Sequence, residues 1–268
     1  MPVPPGVPPP QQDVSLSQPK RAELPFGPAA KVTQVLPAGS KVVKEPSGIA
    51  FHPGRGTLYV VGDHGKVAEL SLEGKVLHRE KIDSLDFEGV TVGPQGRLFA
   101  IEEKKKPRIY ELDPDSLEVK AEYEVDTHLN GQRVLGNEHN KSTEGLCYVP
   151  EQNAFYCVNQ HPPRLVRLEV PLDEKGGKAR AVEVVDLASV VRHQASDVTY
   201  DRASGHFLIT ESSGGEGQGS VYELTREGKL VGSNSLPGNR AEGLALDGLG
   251  RAFIADDAGG VLRVDPGP

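Results

Sequence analysis

One pattern recurs five times along this chain and limits its fold more than any other feature. The copies are SGIAFHPGRGTLYVVGD from Ser47, EGVTVGPQGRLFAIEE from Glu88, EGLCYVPEQNAFYCVNQ from Glu144, SDVTYDRASGHFLITES from Ser196 and EGLALDGLGRAFIADD from Glu242. Each reads as a short alternating strand, a polar Gly/Pro/Asp turn and a second apolar strand, the period-2 signature of a β-hairpin. A third strand follows every hairpin: VAEL at Val67, IYEL at Ile109, LVRL at Leu165, VYEL at Val221 and VLRV at Val261. A fourth follows in four copies, over 75–78, 118–123, 181–185 and 229–231. The fifth copy ends at Pro268 without one, while an unassigned strand, KVTQVL from Lys31, stands at the other end of the chain. Copies 41 to 56 residues apart fit four-stranded blades. The expected fold is therefore an all-β, five-bladed β-propeller, its ring closed by the N-terminal strand. Closure removes a sheet edge that would otherwise invite aggregation.

Residues 1–30 are Pro-rich and lack a strand period, so they are expected to form a disordered, extended tail, with the propeller over 31–268. No apolar run approaches the ~20 residues of a membrane-spanning helix. The net charge of −8 argues against a nucleic-acid partner, which needs a basic surface. The only basic run, Lys104-Lys105-Lys106, reads as a solvated loop. Aromatic residues are 5% with no Trp, which disfavours a sugar-stacking platform. No charged-then-apolar signal segment precedes the Pro-rich stretch. A trimmed, exported chain on a tether fits that start, so the expected setting is extracytoplasmic.

In a propeller, the start of strand one and the end of strand two of each blade lie on one face. Strand one begins with Ser47, Glu88, Glu144, Ser196 and Glu242; strand two ends at Asp63, Glu102-Glu103, Asn159-Gln160, Glu211 and Asp256-Asp257. Asp197 adds a carboxylate beside Ser196. Like charges so close raise one another's pKa unless a cation sits among them. Calcium suits a set of carboxylates and amides with no histidine pair at metal spacing and no nearby cysteine. The expected ligands are Glu88, Glu144 and Glu242, followed by Glu102, Glu211 and Asp256. The alternative is a solvated acidic rim held by lysines and arginines.

The long loop over 126–143 brings His128, Asn137, Glu138, His139 and Asn140 toward this mouth, and His64, His161 and His193 lie in loops of the same face. Exposed loop histidines are the ordinary reading of each. SSGGEGQG from Ser212 reads as a flexible loop beside the mouth. Cys147 and Cys157 occupy core positions that other copies fill with Ala50, Thr91, Thr199 and Ala245, and with Val60, Ala100, Ile209 and Ile254. Two buried thiols are expected, because the turn offsets them by one residue, although a disulfide stays open.

The wording SGIAFHP, DFEGVTV, STEGLCY and AEGLALD, with IYELD on a third strand, resembles the SdiA-regulated family of bacterial proteins from about Glu45 to Asp265. The resemblance implies a five-bladed propeller distantly akin to NHL-repeat propellers, a bound calcium and, in many members, export. It supplies no reaction. Blade three departs at Asn159-Gln160-His161 and blade four at Glu211-Ser212-Ser213. Two functions follow, beside the reading of a purely structural cation in a protein-interaction scaffold. One is a calcium-binding module recognising a small molecule or protein at the top face. The other is a calcium-dependent hydrolase of a lactone or phosphoester, with a loop histidine such as His139 as base. No G-x-S-x-G nucleophile signature is present, and no catalytic residue is nominated.

Overall fold

The computed structural model describes residues 24–136, 142–213, 217–258 and 260–268, and the fold is all-β. After β1 (Lys31–Leu36), the first repeat forms β2 (Pro46–His52), β3 (Thr57–Gly62), β4 (Lys66–Leu70) and β5 (Val76–Lys81). The second forms β6 (Phe87–Val92), β7 (Leu98–Glu102), β8 (Arg108–Leu112) and β9 (Val119–Asp126). A small hairpin, β10 (His128–Leu129) and β11 (Gln132–Arg133), precedes the third: β12 (Thr143–Val149), β13 (Ala154–Asn159), β14 (Arg164–Glu169) and β15 (Lys178–Asp186). The fourth holds β16 (Gln194–Asp201), β17 (His206–Ser212), β18 (Ser220–Leu224) and β19 (Leu230–Ser235). The last holds β20 (Ala241–Leu246), β21 (Ala252–Asp256) and β22 (Gly260–Asp265).

Each repeat is an antiparallel meander, and β1 pairs with β22 from Lys31 opposite Asp265 to Leu36 opposite Val261. The second and third meanders join through a short parallel contact of β9 with β15. The innermost strands pack in sequence, β2 on β6, β6 on β12, β12 on β16, β16 on β20 and β20 on β2.

Among the described residues the core falls into five clusters, one between each adjacent pair of meanders. Strand-two alternation explains this division. Tyr59, Phe99, Tyr156, Leu208 and Phe253 face the following meander, and Val60, Ala100, Cys157, Ile209 and Ile254 the preceding one. Fully burying the larger of these side chains contributes about 1.5–3 kcal/mol each. Cys147 likewise faces the following meander, so the two thiols lie in different clusters. Cys147 is opposite Tyr156 and Cys157 opposite Leu146, and both are free and buried.

The repeated Glu of the third strand has a partner each time. Glu69 takes Arg55 Nε (2.8 Å) and Thr57 Oγ1 (2.7 Å), Glu111 takes Arg97 Nη1 (3.3 Å), and Glu223 takes His206 Nδ1 (2.6 Å).

Three expectations need adjusting. The fourth strands are longer than read: in three of them the exposed half carries Lys, Arg and Glu that hide the alternation, and in β19 Gly, Ser and Asn do so. The long loop contains a hairpin turning on Asn130 (φ 51) and Gly131 (φ 78), an Asn-Gly pair whose left-handed backbone suits a tight two-residue turn. Of the expected tail, residues 1–23 lie outside the described residues, whereas Leu24, Phe26 and Ala30 pack against the cluster containing Leu244 and Ile254.

Candidate functional site

Every inner strand has a register shift at its start, between Pro46 and Gly48, Phe87 and Gly89, Thr143 and Leu146, Ala195 and Asp197, and Ala241 and Gly243. The residue caught in each bulge is Ser47, Glu88, Glu144, Ser196 or Glu242. A bulge re-aims the side chain it carries. Five such residues thus start the inner strands on one end of the molecule.

Next to each bulge the inner strands nearly touch. A Cβ on Gly89 would lie 2.7 Å from Gly145 Cα, and one on Gly145 would lie 2.5 Å from Asp197 Cα. This close approach explains the glycine that follows the bulged residue in four copies. In the fourth copy Asp197 takes its place. Its carboxylate fills the space a Gly145 Cβ would need and accepts the Leu244 N–H (2.8 Å), so it ties strands together.

Burial is the largest cause raising the Glu88 carboxyl well above its ordinary value, followed by the charges of Glu103, Asp63, Asp86 and Glu242. Burial does the same to Glu144, with Glu88, Glu103 and Glu242 adding to it, and Glu144 hydrogen-bonds Glu103. Glu242 is pushed up to about 7 by burial and then Asp257, against a bond from Ser212 Oγ (3.2 Å). Asp63 rises to about 6 by burial, then Asp86, Glu45 and Asp257. The three expected leading residues therefore share one electrostatic neighbourhood.

Glu102, Glu211 and Asp256 have different partners. Glu211 Oε2 accepts the Arg192 (2.5 Å) and His193 (3.0 Å) N–H groups, and Oε1 accepts the Tyr222 hydroxyl (3.2 Å). Asp256 accepts the Asn239 (2.8 Å), Arg240 (3.2 Å) and Ala258 (3.0 Å) N–H groups. Asn159 Oδ1 accepts the Gly136 N–H (3.0 Å) in the same manner. These side chains clamp the loop that enters their own meander. Glu102 is wholly buried, accepts the Tyr110 hydroxyl (3.2 Å) and pairs with Lys104.

The charges acting on Glu88 and Glu242 come from one residue beyond these strand-two positions, at Asp63, Glu103 and Asp257, and from Asp86, two residues before Glu88. Asp63, Glu103, Gln160 and Asp257 donate their N–H to Glu45 O (3.4 Å), Asp86 O (3.0 Å), Ser142 O (2.7 Å) and Arg240 O (3.0 Å). Among the described residues, two groups bring three ligand atoms within 4.8 Å of one another: Asp63, Asp86 and Glu88, and Glu45, Asp63 and His64. The repeat made Asp63 visible in the sequence, but Asp86 and Glu45 precede the repeated wording and were missed. The acidic density is uneven. In the fifth meander Arg240 Nη1 pairs with Asp257 (2.5 Å), which leaves the first two meanders the most acidic.

The donor set fits a hard cation: carboxylates and an amide, without sulfur. Gln160 Oε1 and Asp257 Oδ1 are buried oxygens without a hydrogen-bond donor, a costly state that a cation or water relieves. His64, His128, His161 and His193 are exposed, and of these His64 belongs to one of the two three-ligand groups. His139, Asn137, Glu138 and Asn140 lie outside the described residues, as do 214–216 of the glycine-rich loop.

These features define an all-β protein with a propeller-like chain path and an acidic mouth at one end of its inner strands. The profile of the SdiA-regulated family matches residues 32–257, and the chain belongs to that family. No curated protein matches it. Among solved structures it is similar to glutaminyl cyclase from Myxococcus xanthus, at 17% identity and a TM-score of 0.61 over 88% of this chain and 95% of that one. A Bacteroides thetaiotaomicron protein of unknown function matches at 15% and 0.59, over 88% and 76%. A gluconolactonase from Xanthomonas campestris matches at 16% and 0.53, over 89% and 90%. At such identities the likeness is one of fold. No helix among the described residues is long and apolar enough to cross a membrane.

Proposed function

We propose that the chain is a five-bladed β-propeller, closed by β1, that binds calcium in its acidic mouth and presents that face to a small molecule or protein. The observation that carries this reading is the approach of Asp63, Asp86 and Glu88 oxygens to within 4.8 Å, beside the buried Glu144 and the half-buried Glu242, which repel one another. Asp63, Asp86 and Glu88 would hold the ion. Glu103, Glu144, Glu242 and Gln160 would line the space around it. Glu102, Glu211 and Asp256 support the loops that shape the mouth. An extracytoplasmic setting belongs to the same proposal.

A second reading, hydrolysis of a lactone, draws on the gluconolactonase among the structural neighbours. Bound calcium would polarise the carbonyl oxygen. Glu144 and Glu103, which share a hydrogen bond, would accept the proton of the attacking water.

Melting the protein in EDTA and then in calcium tests the proposal. A ligand at ~100 times its Kd stabilises the folded state by about 2.7 kcal/mol, or roughly 5–10 °C for a chain of this size. An unchanged midpoint removes the calcium site. Lactone turnover that persists after chelation removes the metal-assisted mechanism.

A further inference from the structure

At the other end of the inner strands from the acidic mouth lies a cavity of about 360 Å³. All five inner strands line it, and one register explains why the space exists. The third residue after each bulge is small in every repeat: Ala50, Thr91, Cys147, Thr199 and Ala245. One residue further, Phe51, Tyr148 and Tyr200 widen the wall, and exposed Pro53, Arg202, Ala203 and Gly248 rim the opening. At ~3.3 Å per residue the small ring lies about 10 Å from the bulged glutamates, so this is a separate place.

Most polar side chains of the wall are already engaged. Thr199 Oγ1 donates to Leu244 O (2.5 Å), Tyr148 Oη to Asn153 Oδ1 (2.8 Å), and Tyr200 Oη accepts from Arg226 Nη2 (2.7 Å). Asp197 Oδ2 is held by the Leu244 N–H. What is left facing the space is mostly hydrocarbon. The wall aspartates Asp197, Asp201 and Asp247 are already bonded to backbone N–H groups, Ser204 or Arg251, and Arg202 offers its charge only at the exposed rim, so a charged guest would lose its hydration inside at a cost. An apolar guest gains contact area at no such cost. An apolar cavity of ~150 Å³ takes up benzene, and this one is more than twice that volume.

We propose that the cavity is a binding site for a small, neutral, predominantly apolar molecule about the size of two fused aromatic rings. The proposal is independent of calcium at the mouth.

Methyl NMR of the full chain tests it, with alanine methyls labelled and naphthalene as the probe. Ala50 and Ala245 line the cavity, whereas Ala100 and Ala252 do not. Saturable shifts at Ala50 and Ala245, and at Ala203 on the rim, with Ala100 and Ala252 unmoved and all equal in EDTA and in calcium, are expected. Thr91→Leu, which fills the small ring, should weaken binding at least tenfold in a variant whose spectrum remains folded. Wild-type protein without saturable shifts at either methyl overturns the proposal, whatever the variant does. So does unchanged affinity in folded Thr91→Leu, or tighter binding of 1-naphthylmethylamine than of naphthalene.

Discussion

Glu88 and Glu211 are the same residue type in opposite circumstances. Glu88 is half-buried among other carboxylates, while Glu211 spends its oxygens on two backbone N–H groups and a tyrosine hydroxyl. Replacing them should therefore move different quantities. Glu211→Ala leaves two loop N–H groups unpaired and should cost about 2–3 kcal/mol, since hydrogen bonds to charged groups are worth about 1.5–3 each. The rise in melting temperature on adding calcium should survive. Glu88→Gln removes a repelling charge, so the chelated protein should be at least as stable as wild type, but most of the calcium-dependent rise should vanish. Paired melts in EDTA and calcium separate the two outcomes. The convergence of Glu88, Glu144 and Glu242 was legible because the repeat aligns them. The burial of Glu211 and Asp256 was not, because sequence spacing cannot say which of two adjacent carboxylates points into the mouth and which turns back to its loop.

At the scale of single strands, the bulge and the glycine behind it act together. The bulge turns one side chain toward the mouth, and the missing Cβ lets neighbouring strands close to backbone contact. A Cβ on Gly89 would stand 2.5 Å from Leu146 N, against backbone that cannot rotate away. Gly89→Ala should therefore destabilise by about 1–3 kcal/mol, the usual cost of overpacking, measured by denaturant melts. A change below about 0.5 kcal/mol would mean that the inner strands are not in contact. Strand order was readable because hairpin alternation and turn residues agree in every copy. The bulges were not, because an extra residue leaves the apolar pattern on either side intact. The Asn130-Gly131 hairpin carried a signal that a loop rich in polar residues concealed.

Across the molecule, crowding of carboxylates at one end makes stability depend on both protons and metal. Asp63 and Glu242 have ordinary values of 3.8 and 4.5 but rise to about 6 and about 7 in the fold. Between those limits the chelated native state binds more protons than the unfolded chain, so unfolding free energy falls as pH rises. The contribution is complete below about pH 4 and lost as pH passes through 6 to 7. Melting of chelated protein should show this decline, and saturating calcium should flatten it by replacing the protons. A chelated protein whose stability climbs from pH 5 to 8 would show that these groups are not crowded as described. The repeated strand wording was plain in the sequence; the imbalance of charge around the mouth was not, since it depends on Arg240 neutralising one sector and on Asp86 and Glu45 enriching another. The most direct test of the central claim is anomalous diffraction from crystals grown in calcium. The expected result is a single peak at the acidic mouth, 2.3–2.6 Å from oxygens of Asp63, Asp86 and Glu88, the usual range for this ion. Calcium-loaded crystals with no peak among those side chains would contradict it.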